Sequence, residues 1–158
     1  MMSLRPDAAD FLANTVEPTV AEFENAPHDI RRGRLAAIVL YHMADHFAMD
    51  GFAARDWKSM RTEIDAARER IQALCPAFEL IRDVADASKH AKLATQKNVP
   101  RQLSSADQVS ASSGLFGAPF GCGVFAEGAE VTATLDDGAT KALMPAVRAV
   151  LAAWKSMI

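Results

Sequence analysis

Cysteine is scarce in this chain of 158 residues. Cys75 and Cys122 are the only two, and neither sits in a CxxC pair or beside a histidine. That usage excludes thiolate zinc motifs and a disulfide scaffold, and two scattered cysteines in a core-forming chain read as free thiols of a reducing compartment. Cys122 also has no base within reach by sequence that would make it a nucleophile. An excess of one charge is missing too. The formal net charge is −3, and a cut after Asn98 leaves 13 basic against 15 acidic residues before it and 4 against 5 after. Neither part hides a basic excess, which argues against a strongly basic nucleic-acid binder while leaving room for a local basic patch. Long hydrophobic runs are absent. The longest, Leu35 to Tyr41, is far below the ~20 residues that span a bilayer, and the first residues reach Arg5 and Asp7 without an apolar leader core. The expectation is a cytoplasmic protein with no membrane association. No G-x-S-x-G elbow and no G-K-[ST] phosphate loop occur. Gly121-Cys122-Gly123-Val124-Phe125-Ala126 fits G-x-G-x-x-A, but without the flanking strand and helix that give this motif its meaning it reads as turn and hairpin glycine.

What remains is a globular composition, 50% hydrophobic and 23% charged, sized for a single domain over residues 1–158 with one core. Residues 7–93 read as a helical bundle. Phe11, Leu12, Val16, Val20 and Phe23 recur at helical spacing, with Pro18 kinking or dividing that segment. A long helix is expected from Asp29 to Met49, ended by Gly51. A third should start at an Asp56 cap and run to Leu74, with Trp57, Met60, Ile64, Ala67, Ile71 and Leu74 forming its apolar face. A fourth should have Pro76 in its first turn and reach Leu93, pairing antiparallel with the third. Residues 94–119 are serine-rich and read as a flexible connection. Six of the eight glycines lie between Gly114 and Gly138. There Val124-Phe125 and the alternating Val131, Ala133 and Leu135 suggest a hairpin, before a last helix carrying Leu143, Val147, Val150, Leu151, Trp154 and Ile158. The fold class expected is mainly α: four to five helices with a small C-terminal β-hairpin.

Two clusters carry candidate chemistry. On the second helix, His42 and His46 stand four residues apart, the spacing at which two imidazoles hold one metal from one helix face. Met43 occupies the place of the glutamate in H-E-x-x-H, and no third ligand is evident. A helix apolar on most of its circumference is a central one, so His42, Asp45 and His46 are expected to face protein, as satisfied polar residues or as ligands of zinc or iron. On the fourth helix the rotation puts Ala77, Ile81, Val84, Ala85 and Ser88 on the buried side. Glu79, Asp83, Asp86 and His90 fall opposite, with Arg82 at the edge. Asp86 and His90 are neighbours one turn apart and are expected to share a hydrogen bond. A histidine that moves protons beside an arginine that stabilises phosphate charge is what metal-free RNA cleavage needs. The same rotation keeps Asp86 and His90 from joining His42 and His46 in one metal site.

The stretches Arg34 to His46 and Phe78 to His90 resemble an uncharacterised bacterial family of helical proteins, in which an "R-D-x-A-x-A-x-K-H" helix precedes a glycine-rich stretch, a short hairpin and a Trp-containing terminal helix. That resemblance spans nearly the whole chain and brings no activity with it. More distantly, the Arg82–His90 helix is similar to the Arg…His signature of the HEPN superfamily. There a polar residue follows the arginine, as Asp83 does here, and the histidine comes four to six residues on; in this chain seven residues intervene, about 12 Å along the helix axis. The resemblance implies a small helical dimer, with RNA or a cognate protein as partner, in a toxin–antitoxin or defence setting. It implies a metal-independent ribonuclease with no cofactor, or an inactive RNA-binding relative, with Arg82 and His90 carrying the chemistry and Asp86 orienting the histidine. The readings from other classes are a metal-binding protein using His42 and His46, and a non-enzymatic interaction protein.

Overall fold

Proline and aspartate decide where the helices begin. In the computed structural model, which describes residues 5–95, 98–111 and 130–158, α1 (Pro6–Phe11), a π-helical stretch (Leu12–Val16) and α2 (Glu17–Glu24) run on as one rod. Pro18 lies at the start of α2. It has no N–H and its ring crowds the carbonyl four residues back, and the wider π turn just upstream takes up that misfit. Asp29 caps α3 (Ile30–Met49) by accepting the Arg32 N–H at 3.1 Å, and Gly51, with φ of +75°, follows its end. Asp56 caps α4 (Trp57–Leu74) through the Ser59 N–H at 2.9 Å. The next helix, α5 (Phe78–His90), is shorter than its sequence suggested: Pro76 stays in the link before it, and Ala91 ends it at a left-handed φ of 65°. The last, α6 (Leu143–Met157), holds Pro145 in its first turn, where no helical N–H is lost.

The helix α3 is the central element. It packs most closely on α5 and α4, and also on α2 and α6. The expected pairing of α4 with α5 is not what holds them, because both lie chiefly against α3 and touch each other lightly. Ala36, Ala37, Leu40, Met43 and Ala44 of α3 are fully buried, together with Phe23, Phe78, Ile81 and Trp154 from the surrounding helices. Gly33 lets this packing close: a Cβ there would stand 3.2 Å from Phe23 and from Leu143. Trp154 fills the centre, donating its indole N–H to the Leu40 carbonyl at 3.0 Å and meeting Phe78 edge-on at 6.3 Å.

The molecule is thus mainly α, a bundle of helices with a small antiparallel sheet near its C-terminus. The sheet differs from the hairpin read from sequence. Its strands β1 (Val109–Ala111), β2 (Val131–Thr134) and β3 (Thr140–Ala142) lie in the order β1-β2-β3, with Ser110 opposite Thr132 and Ala133 opposite Lys141. The hairpin turn is at Asp136 to Gly138, where Gly138 has φ of +87°. That turn leads into β3 and only then into α6. The suggested strand at Val124-Phe125, the Gly121–Ala126 motif and Cys122 lie outside the described residues. The connection expected to be flexible is anchored over its described part. The Leu103 side chain is fully buried, Lys92 bridges to Ser105, and Ser105 with Gln108 forms a capping box on the short 3-10 turn Ala106–Gln108. Among the described residues no helix is long and apolar enough to cross a membrane.

Candidate functional site

A groove of about 600 Å³ opens where α3, α4 and α5 meet. From α3, Tyr41, His42 and Asp45 enter it one after another, because the edge of the buried stripe passes through these positions. Tyr41 is buried, which pushes its hydroxyl pKa up, with the Asp86 carboxylate adding to the shift. His42 Nδ1 faces Asp45 Oδ2 at 3.3 Å. From α4 come Trp57, Arg61 and Arg68, and from α5 come Asp86, Lys89 and His90.

The groove's charges sort into paired and outward-facing ones. Arg68 Nη2 donates to Asp45 Oδ1 at 3.2 Å, while its guanidinium lies 4.6 Å above the Tyr41 ring. Asp86 Oδ2 accepts from Arg101 Nη1 at 2.7 Å. Both carboxylates are therefore already paired, Asp45 with Arg68 inside the groove and Asp86 with Arg101 outside its lining. Lys89 makes no ion pair among the described residues, and Arg61 has only Asp65, at 3.6 Å on an open helix surface, a kind of pair worth little. These two cations stand beside the His42 and His90 imidazoles and give the mouth of the groove a positive character in a chain that is acidic overall.

Arg82 lies apart from this groove. Its Nε donates to Asp83 Oδ1 at 2.8 Å, its Nη2 to the Pro100 carbonyl at 2.8 Å, and Glu79 stands 3.8 Å away. Asp83, expected on the solvated side, is fully buried. It also accepts from Arg101 Nη1 at 2.9 Å and from the Gln102 N–H at 2.6 Å. The rotation estimate failed there because residues 100–102 cover the face of α5 that periodicity leaves to water. Arg101 is held protonated by Asp86 and Asp83: burial, the largest single influence, favours its neutral form, and the two carboxylates together outweigh it. Arg82, Asp83 and Arg101 therefore form a latch that straps residues 100–102 to α5.

The structure brings Asp86 and His90 to one groove and leaves Arg82 on the strap. The expected Asp86–His90 hydrogen bond is replaced by the one from Arg101. His42 does join Asp86 and His90 in that groove, although the rotation estimate kept them apart. The edges of the buried stripes on α3 and α5 converge on the same opening. His46 does not join them: it is exposed and lies flat on Phe11, with ring centroids 3.6 Å apart and planes within 6°. Of the residues expected to face protein, His42 and Asp45 are half-buried and His46 is not. Among the described residues no group of three or more His, Cys, Asp or Glu side chains is placed to hold a metal, so His42 and His46 do not share a zinc or iron site with a third such ligand there.

Sequence reasoning missed the aromatic wall of this groove. Trp57 was assigned to the apolar face of α4, yet it is 73% exposed. The signal was available: Trp57 directly follows the Asp56 cap, so it occupies the end of the helix, where the apolar face runs past the core. Comparison with known proteins finds no matching family, no matching curated protein and no matching solved structure.

Proposed function

We propose that this chain is a HEPN-like domain that binds RNA in the groove between α3, α4 and α5, without cleaving it. The observation that carries the reading is the convergence of Lys89 and His90 from the end of α5 with Arg61 of α4 and His42 of α3 on one open groove. Phosphate is held by cations such as Lys89 and Arg61, with imidazole N–H groups as further donors, and unpaired nucleotides favour the aromatic surface beside them. The placement of Arg82 supports binding over cleavage. A guanidinium already donating to Asp83 and to the Pro100 carbonyl would have to break the latch to reach a phosphate beside His90. The superfamily resemblance adds a dimer and a cognate protein partner to this reading.

Fluorescence anisotropy with a labelled single-stranded RNA, titrated at several salt concentrations, tests it. Saturable binding is expected, with affinity falling as salt rises. The double variant Arg61→Ala with Lys89→Ala should flatten the logarithmic salt slope by about 1.4, since each phosphate contact on a single strand contributes about 0.7. No saturable binding at low salt, or binding that the double variant leaves unchanged, rejects the site. RNA cleavage abolished by both Arg82→Ala and His90→Ala would reject the non-cleaving version in favour of a nuclease.

A further inference from the structure

Trp57 and Trp154 are the chain's only tryptophans, and they sit in opposite environments. Trp154 is fully buried and hydrogen-bonded, whereas Trp57 is 73% exposed at the groove mouth. Leaving most of an indole in water forgoes the burial that usually stabilises a large aromatic side chain. An isolated exposed apolar residue is ordinary, but Trp57 is not isolated from charge. The Arg61 guanidinium lies 5.5 Å from the indole centroid, one helical turn further along α4. Lys89 and His90 reach the same opening from α5. The backbone under the indole is also fixed, since Asp56 caps the helix one residue earlier and its pKa is lowered by the Ser59 N–H it accepts. The result is a flat aromatic surface on an ordered helix end, flanked by cations.

Resting on the RNA-binding reading, we propose that Trp57 is the stacking platform of the groove: it takes one unpaired nucleobase of a single strand on its indole face while Arg61 and Lys89 hold the adjacent phosphates. Every base has a π-face, so recognition of this kind tolerates sequence and demands that the base be unpaired. A cavity of about 600 Å³ accommodates one or two nucleotides and not the width of a duplex. Arg61 serves twice, because a guanidinium beside an indole both anchors phosphate and favours the stacked arrangement. The chemistry selects an anionic chain that carries planar rings; a chain of phosphates alone satisfies only Arg61 and Lys89.

The test uses the full-length chain with three probes: a ten-nucleotide single-stranded uridylate, a ten-unit abasic strand with the same phosphates, and a blunt RNA duplex. Binding is followed by anisotropy and by tryptophan emission. The uridylate is expected to bind more tightly than the abasic strand or the duplex and to change the emission of the wild type. Trp57→Phe should abolish that emission change, and Trp57→Ala should weaken uridylate binding by about tenfold or more while leaving the abasic strand unaffected. Circular dichroism should show all variants folded, since the side chain lies outside the core. Uridylate bound equally well by Trp57→Ala and wild type, or an emission change that persists in Trp57→Phe, overturns the stacking role while leaving RNA binding intact. Binding of none of the three probes overturns the RNA reading itself, and the stacking role with it.

Discussion

Burying a carboxylate costs several kcal/mol unless its oxygens are filled, and Asp83 fills both of its own. Arg82 and Arg101 donate to Oδ1, and the Gln102 N–H to Oδ2. Removing such a group takes from two guanidiniums the buried carboxylate they share, leaving Glu79 beside Arg82 and Asp86 beside Arg101. Asp83→Ala should therefore destabilise the fold by roughly 3 kcal/mol, the lower end for breaking a buried pair, because both arginines keep some access to water. Urea denaturation measures it, and a loss below about 1 kcal/mol would show that the latch is not holding the strap. The same contacts separate two arginine roles. Arg82→Ala should lower the denaturation midpoint and leave the RNA affinity of the folded protein unchanged. Lys89→Ala should do the reverse, since Lys89 is exposed and makes no ion pair among the described residues. If Arg82→Ala instead abolishes affinity without a stability loss, Arg82 belongs to the site and not to the strap.

Among the elements, helices with a cap and a period were legible in the sequence. Asp29 and Asp56 start α3 and α4 where their side chains predicted, and Pro145 falls in the first turn of α6. Elements defined by distant partners were not. Asp83 and Arg101 are eighteen residues apart in sequence, and β1 finds β2 across the stretch that follows Ala111, so local periodicity carries no trace of either pairing. The candidate site was half legible for the same reason. His42, Asp86 and His90 were singled out from their own helices, while Trp57, Arg61 and Lys89 gain meaning only when α4 and α5 meet over α3. Close packing gives one prediction at this scale. Gly33→Val should cost about 1–3 kcal/mol, because even the first carbon of a side chain stands 3.2 Å from Phe23 and Leu143 in a buried seam. Thermal denaturation reports it, and an unchanged midpoint would mean that α2 and α6 can move apart freely. The junction between the 3-10 turn and the hairpin gives another. The Asp136 carboxylate accepts from Ser104 Oγ and from Gln108 Nε2, and these bonds hold its pKa below the usual carboxylate range. A depressed folded-state pKa stabilises the fold above the unfolded-state value, near 3.9, and that contribution fades as pH falls through the folded-state value. Asp136→Asn should therefore be less stable than wild type at pH 7, with the gap narrowing below about pH 4. A gap of constant size across that range would place the stabilisation elsewhere.

At the scale of the whole molecule, the walls of the groove are unequal. The helices α3 and α5 are buried along most of their length, through residues such as Ala37, Leu40 and Met43 on one and Leu80, Ile81 and Val84 on the other. By contrast α4 buries only Ala67 and Ile71, and it leans on α3 with light contact to α5 and α6. Local opening follows buried apolar contact, so α4 is the part of the groove with least to lose by moving. It also carries Trp57, Arg61 and Arg68, three of the groups through which a ligand would tie it to α5. A ligand lying between them supplies contacts that the free protein lacks, and its binding free energy is available to suppress that opening. Hydrogen exchange should accordingly show α4 amides exchanging faster than those of α3 and α5 in the free protein. Saturating single-stranded RNA should slow them selectively, while α6, which contributes no lining residue to the groove, should change little. Protection that spreads evenly over all helices would indicate general stabilisation and not a closing wall. Unchanged exchange in α4, at RNA concentrations where anisotropy shows saturation, would place the bound strand on another surface.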